Sequence, residues 1–245
     1  MKVIVTKDYT ASCRVAADMI IAQLKADPES KLGLATGGTV VPIYEMLAAA
    51  VKAGEVSFAK ACSVNLDEYV GLDPAHPQSY RYFMDENLFN KVDIDKSRTF
   101  VASGVGDEEE TLRVFKAKLE EGRPIDIQLL GIGVDGHIGF NEPSANLVSG
   151  AHAETLDEST IEANARFFAS KEEVPTRAIT MGVGDIMKAK STVLVASGKS
   201  KAYAIKRLIM DDFVTGEIPA SVLKMHPNAT IVIDEELAAE VGYKA

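Results

Sequence analysis

With 245 residues, 47% of them hydrophobic and 25% charged, the chain can bury a sizeable core as an ordinary soluble globular protein. Its formal net charge of −10 disfavours a general role on nucleic acid or on an anionic membrane surface, so an anionic ligand would need a locally positive pocket. No apolar run approaches the ~20 residues of a membrane-spanning helix.

The amino terminus enters the strand-like Val3-Ile4-Val5 without a charged and apolar leader, which predicts a cytoplasmic protein. A helical pattern follows through Arg14 to Leu24, broken by Asp27-Pro28. The next strand, Lys31 to Ala35, opens into Thr36-Gly37-Gly38-Thr39 and a helix holding Tyr44 to Val51. Strand, glycine turn and helix in that order suit an anion, because free N–H groups at a helix start point toward negative charge. A plain tight turn with Thr39 as N-cap fits the same residues. This turn carries neither the Gly-Lys-Ser/Thr ending of a P-loop nor the Gly-x-Gly-x-x-Gly of a dinucleotide site, so nucleotide binding at it loses support.

A strand over Ala61 to Leu66 delivers Asn65, Asp67, Glu68 and Tyr69 into a loop, where acids are candidates for chemistry or simply cap the turn. Gln78 to Leu88 reads as a helix whose aromatic residues suit core and lid packing, and Asp107 to Glu110 as an acidic helix start. Ile125 to Ile132 is a nearly continuous apolar run, as expected of a parallel strand covered on both faces. It ends in glycines, and Asp135, His137 and Glu142 arrive within eight positions. Two carboxylates bracketing one imidazole can fix its tautomer and raise its basicity, making a proton relay; a hydrogen-bonded turn is the plainer alternative. No second His or Cys stands nearby to make a convincing transition-metal set, so no metal is expected.

Beyond Pro143 the hydrophobic pattern weakens, and the polar stretch within 144–168 reads as a lid. Arg166 offers a planar fork for phosphate, or a surface charge. Strands over Ala178 to Met181, Thr192 to Ala196 and Ile231 to Ile233 complete the alternation, and Ser197-Gly198-Lys199-Ser200-Lys201 makes a second glycine-to-helix start. One of its lysines can reach an anion, or both face water. The cadence predicts one α/β domain over 1–245: a Rossmann-like, mainly parallel sheet with helices on both faces and its site at the carboxyl ends of the strands. Cys13 and Cys62 are expected as buried free thiols rather than a disulfide.

Five blocks together resemble the glucosamine-6-phosphate deaminase family over nearly the whole chain: Leu34 to Thr39, Asn65 to Leu72, Gly133 to Pro143, Ser197 to Ala202 and Leu223 to Pro227. The block around Asp135 is the least specific, since 6-phosphogluconolactonases carry a similar Gly-x-Asp-Gly-His. Phe140 to Pro143 and Asp67-Glu68-Tyr69 are what favour the deaminases.

The resemblance implies conversion of glucosamine 6-phosphate and water to fructose 6-phosphate and ammonia in amino-sugar catabolism, without a cofactor. It implies that His137, held by Asp135 and Glu142, opens the sugar ring. Asp67 moves the C2 proton to C1, and Gly37, Gly38, Thr39, Arg166 and Lys201 bind the phosphate. Allosteric members bind N-acetylglucosamine 6-phosphate with an arginine and a lysine where this chain has His152 and Glu154, and they carry a longer tail beyond the position of Ala245. A non-allosteric enzyme is therefore expected, with a monomer compatible with the sequence and a homo-oligomer left open. A 6-phosphogluconolactonase-like esterase and a non-catalytic sugar-phosphate sensor are the alternatives.

Overall fold

Seven parallel strands form the central layer of the computed structural model, which describes residues 1–244. The chain enters through β1 (Lys2–Thr6) and α1 (Tyr9–Ala26). Asp8 caps α1 by accepting the Ala11 N–H at 2.7 Å. Cys13, Ala16, Ala17, Ile20, Ile21 and Leu24 recur at helical spacing, and all are buried. β2 (Lys31–Leu34) then leads through a 3-10 turn at Gly38–Val40 into α2 (Val41–Lys52). Neither the turn nor α2 has a side-chain cap, so Thr39 is not the N-cap that a plain turn would have used.

β3 (Cys62–Asn65) pairs with β2, and β4 (Asp67–Tyr69) follows after one residue. Then come α3 (Tyr80–Met84), a π turn at Asp85–Phe89, β5 (Thr99–Phe100), α4 (Glu108–Glu120) and β6 (Ile127–Leu130). The later half contributes β7 (His152–Thr155), α5 (Glu158–Asn164), β8 (Arg177–Thr180), α6 (Val183–Met187) and β9 (Thr192–Ala196), followed by α7 (Ala202–Met210), β10 (Ala229–Asp234) and α8 (Glu235–Val241).

The parallel sheet has the order β1-β10-β9-β6-β2-β3-β5. From β2 the chain works outward through β3 to β5, returns to β6, and then works outward the other way through β9 and β10 to lie beside β1. The winding therefore reverses between β2 and β6. In an open α/β sheet that reversal leaves a crevice outside the carboxyl ends of the strands. The Thr36 to Thr39 turn and the Gly131 to His137 loop are the two segments that leave β2 and β6 there.

The expected loop at Asp67 to Tyr69 is instead a strand, and it belongs to a second sheet with the antiparallel order β4-β8-β7. The chain changes sheets at Leu66: its N–H still bonds the carbonyl of Leu34 in the parallel sheet, while its carbonyl takes the N–H of Met181. The strand at Ala178 to Met181 likewise lies in this small sheet and outside the parallel one. Asp67, Glu68 and Tyr69 are all buried, so no alternation of polar and apolar residues marks them as a strand. β5, with two residues, and the 3-10 segment Pro219–Met225 are too short for periodicity to find.

The polar stretch 144–168 contains β7, α5 and a 3-10 turn at Ala165–Phe167. Cys13 is a buried free thiol, whereas Cys62 is only half-buried. Among the described residues no helix is long and apolar enough to cross a membrane.

Candidate active site

The glycine turn after β2 forms one end of the crevice. Gly37 sits at φ 98°, a conformation that a side chain would strain, and neither Gly37 nor Gly38 has any atom where a Cβ would go, so the backbone lies open to a ligand. Behind the turn, the Tyr9 hydroxyl donates to the Thr39 carbonyl at 2.9 Å. Arg166, Phe167 and Lys201 line the same cleft. Arg166 is exposed on the cleft wall, its guanidinium 4.7 Å from the Phe167 ring centre. Lys201 is half-buried, and Lys199 instead points outward to Glu240 at 3.7 Å. Burial, aided by the nearby Arg166 charge, lowers the Lys201 pKa against the pull of Asp135. Two cations facing one cavity are electrostatically incomplete without an anion.

The loop after β6 forms the other end. His137 Nδ1 lies 2.9 Å from Asp135 Oδ1 and 3.4 Å from Glu142 Oε2. Neither carboxylate sits on the N–H axis, so the nitrogen is shared between them. Burial works against an imidazolium here, but Asp135 and Glu142 outweigh it and raise the His137 pKa to about 9. Burial also works against the Asp135 charge, and the imidazolium overcomes it, holding that carboxyl low. The backbone makes the seat for the ring. A Cβ on Gly133 would come within 2.4 Å of both Asp135 Oδ1 and the His137 ring.

Phe140 and Asn141 anchor this loop to the small sheet. The Phe140 N–H donates to Thr180 Oγ1 at 3.0 Å, and the Asn141 amide bridges the carbonyls of Ile138 and Met181, each at 2.8 Å. These bonds give a physical reason for the Phe-Asn-Glu-Pro block. They hold Glu142, only 6% exposed, against the imidazole.

Asp67 reaches the cleft from the first residue of β4. It is 6% exposed, and no hydrogen bond from a described residue reaches its carboxylate. Burial, with the neighbouring Glu68 charge, raises its pKa to about 8, while His137 pulls the other way. Glu68 points away and accepts the N–H groups of Tyr69, Tyr80 and Arg81 at 2.9, 2.9 and 3.0 Å. It satisfies the first N–H groups of α3, whose N-cap is Ser79, from inside the protein, and so does not merely cap its own loop as one sequence alternative had it.

All nine residues singled out from the sequence thus border this crevice or brace its walls. The third wall comes from the stretch expected as a lid, but sequence reasoning named none of its residues: Ser159, Thr160, Ala163 and Asn164 of α5 also line the cleft. Their i, i+3, i+4 spacing was available as a signal, but without an apolar stripe it did not stand out. Asp135, His137 and Glu142 each bring one ligand-type atom, all within 4.8 Å of one another, so this trio is also where a divalent cation could sit.

Residues 8–232 match the family model for glucosamine-6-phosphate isomerases and 6-phosphogluconolactonase. The chain is 50% identical over 239 residues to a glucosamine-6-phosphate deaminase of Clostridium perfringens, covering 97% of this chain and 98% of the relative. The solved structure of a monomeric glucosamine-6-phosphate deaminase is 40% identical, with a TM-score of 0.95, covering 98% of this chain and all of the other. A 6-phosphogluconolactonase from Leishmania guyanensis shares the fold at 18% identity, with a TM-score of 0.75 and 97% of each chain covered.

Proposed function

The chain belongs to the family of glucosamine-6-phosphate isomerases and 6-phosphogluconolactonases and carries glucosamine-6-phosphate deaminase activity; on that premise we propose that His137 and Asp67 perform its two proton transfers. The observation that carries the proposal is a buried carboxylate that no described residue hydrogen-bonds, facing the same cleft as an imidazole pinned between two acids.

With its pKa near 9, His137 is an imidazolium at neutral pH and is ready to protonate the ring oxygen as the C1–O5 bond breaks. The neutral imidazole then takes the proton of the anomeric hydroxyl, which completes the aldehyde. Asp135 and Glu142 hold the ring in place and compensate its charge through the cycle.

The aldehyde acidifies the C2 hydrogen. Asp67 removes it and returns it to C1 through an enolamine, leaving an imine at C2. Water adds there and ammonia departs, so glucosamine 6-phosphate and water become fructose 6-phosphate and ammonia with no redox change. A carboxyl pKa near 8 makes Asp67 a far stronger base than an ordinary aspartate. It is protonated when the cleft is empty at neutral pH, and a substrate ammonium arriving at C2 favours its ionised form.

Gly37, Gly38, Thr39, Arg166 and Lys201 take the phosphate. Anchoring at C6 positions C2 against Asp67 and discriminates against uncharged sugars. Residues 1–245 act as one domain, with 144–168 as the lid. His152, 3.2 Å from Glu154, stands where an effector phosphate would need cations, so the enzyme works without activation by N-acetylglucosamine 6-phosphate. We take it to be a monomer, as the 40%-identical enzyme is, working in the cytoplasm where sugar phosphates are retained by their charge.

The test is release of ammonia and fructose 6-phosphate from glucosamine 6-phosphate, with and without the acetylated sugar. Equal amounts of the two products, unaffected by the effector, are expected. Activation would overturn the non-allosteric reading, and hydrolysis of a sugar lactone without ammonia release would point to the esterase instead.

A further inference from the structure

The helix α5 spans the cleft from its reacting end to its phosphate end. Just before it, the Asp157 N–H donates to Glu142 Oε1 at 3.4 Å. Just beyond it, Arg166 and Phe167 share a wall with Thr39. Its seven residues, at ~1.5 Å each, cover roughly 10 Å, so the middle of the helix faces the middle of whatever is held at both ends.

Thr160 stands out on that inner face. It lines the cleft yet is only 3% exposed, and its hydroxyl is buried without a hydrogen-bond partner among the described residues. Thr160 sits in the first turn of α5, where no helical carbonyl lies four residues earlier to take its hydroxyl. Its backbone is nevertheless fixed. The Thr160 N–H bonds the Asp157 carbonyl at 3.0 Å, and Leu156 and Phe168, flanking the helix, pack with Tyr69 and Phe140. A buried hydroxyl with nothing to bond is costly and calls for a ligand that completes it.

Resting on the proposed use of this cleft, we propose that Thr160 is a specificity-determining residue whose hydroxyl bonds a secondary hydroxyl, at C3 or C4, of the sugar phosphate. The phosphate is taken at one end and C1 and C2 at the other, so the hydroxyls left facing mid-helix are those two. A threonine hydroxyl can donate and accept at once, and so matches a sugar hydroxyl in either role. An epimer inverted at that carbon directs its oxygen elsewhere and leaves Thr160 unpaired again.

The experiment compares wild type, Thr160→Val and Thr160→Ser on glucosamine 6-phosphate and its C3 and C4 epimers, with Tm measured for each protein. Valine keeps the shape and removes the hydroxyl. It is expected to lower kcat/KM for glucosamine 6-phosphate roughly tenfold or more, and to shrink the preference over one epimer by a similar factor. The Tm should stay level or rise, because no bond in the free protein is lost. Serine should retain most of the preference.

The inference fails if Thr160→Val stays within twofold of wild type, or if it slows all three sugars equally while lowering the Tm. It also fails if wild type is indifferent to both epimers. Lack of ammonia release by wild type would overturn the underlying reading instead, and the inference with it.

Discussion

The two ends of the cleft solve opposite electrostatic problems. At the phosphate end, cations and open backbone N–H groups wait for charge that only a ligand supplies, and burial, with a smaller push from Arg166, lowers the Lys201 pKa. At the reacting end, charge is compensated within the protein, imidazole against two carboxylates, while no donor among the described residues bonds the Asp67 carboxylate. The first arrangement favours binding and the second favours proton transfer. Damage at one end should appear mainly in KM, and damage at the other mainly in kcat.

The sharpest test of this contrast is Asp67→Asn. Loss of the base should lower kcat by roughly 10²–10⁴-fold and stop C2 proton exchange, with substrate binding largely kept. The same variant should gain stability relative to wild type as pH rises. The folded-state pKa of Asp67 lies near 8, well above the ordinary carboxylate value, so wild type loses stability as pH rises from about 4 to about 8, and the asparagine variant escapes that loss. Denaturant melts at pH 5 and pH 8.5 should show the variant's advantage growing, on the order of a few kcal/mol. An equal gap at both pH values would mean that Asp67 is not desolvated as described.

At the other end, Lys201→Ala should raise KM roughly tenfold to a hundredfold with kcat nearly intact, the loss of one charge-assisted bond to phosphate. Unchanged KM in steady-state assays would put that lysine in solvent. The smallest effect belongs to Tyr9→Phe, which removes the brace at 2.9 Å behind Thr39. A KM increase of about twofold to fivefold is expected, with about 1 kcal/mol of stability lost. A change in kcat in place of KM would contradict the division of labour between the two ends.

The two ends were also unequally legible in the sequence. Asp135, His137 and Glu142 share one loop, so the residues themselves raised the possibility of a relay. Asp67 comes from a different sheet, and only the ordered motifs of a family brought it to the same site. Six of the seven strands of the parallel sheet could be followed because short, largely apolar runs mark them, while the two-residue β5 could not. The small antiparallel sheet could not: β4 is three buried residues, two of them acids, and β7 lies in a stretch that patterns as polar. Thr160 was the least visible, since what marks it is a missing hydrogen bond, which exists only in three dimensions.

Gly133 gives the relay a property that no side chain could. The imidazole rests on bare backbone, held at a distance that leaves no space for even one carbon between them. A neighbouring side chain hops between rotamers and would hand its motion to the ring. A peptide plane does not, so the bearing surface for the proton carrier is as stiff as the main chain itself. An added methyl there would jam that bearing while leaving every proton-carrying group in the sequence.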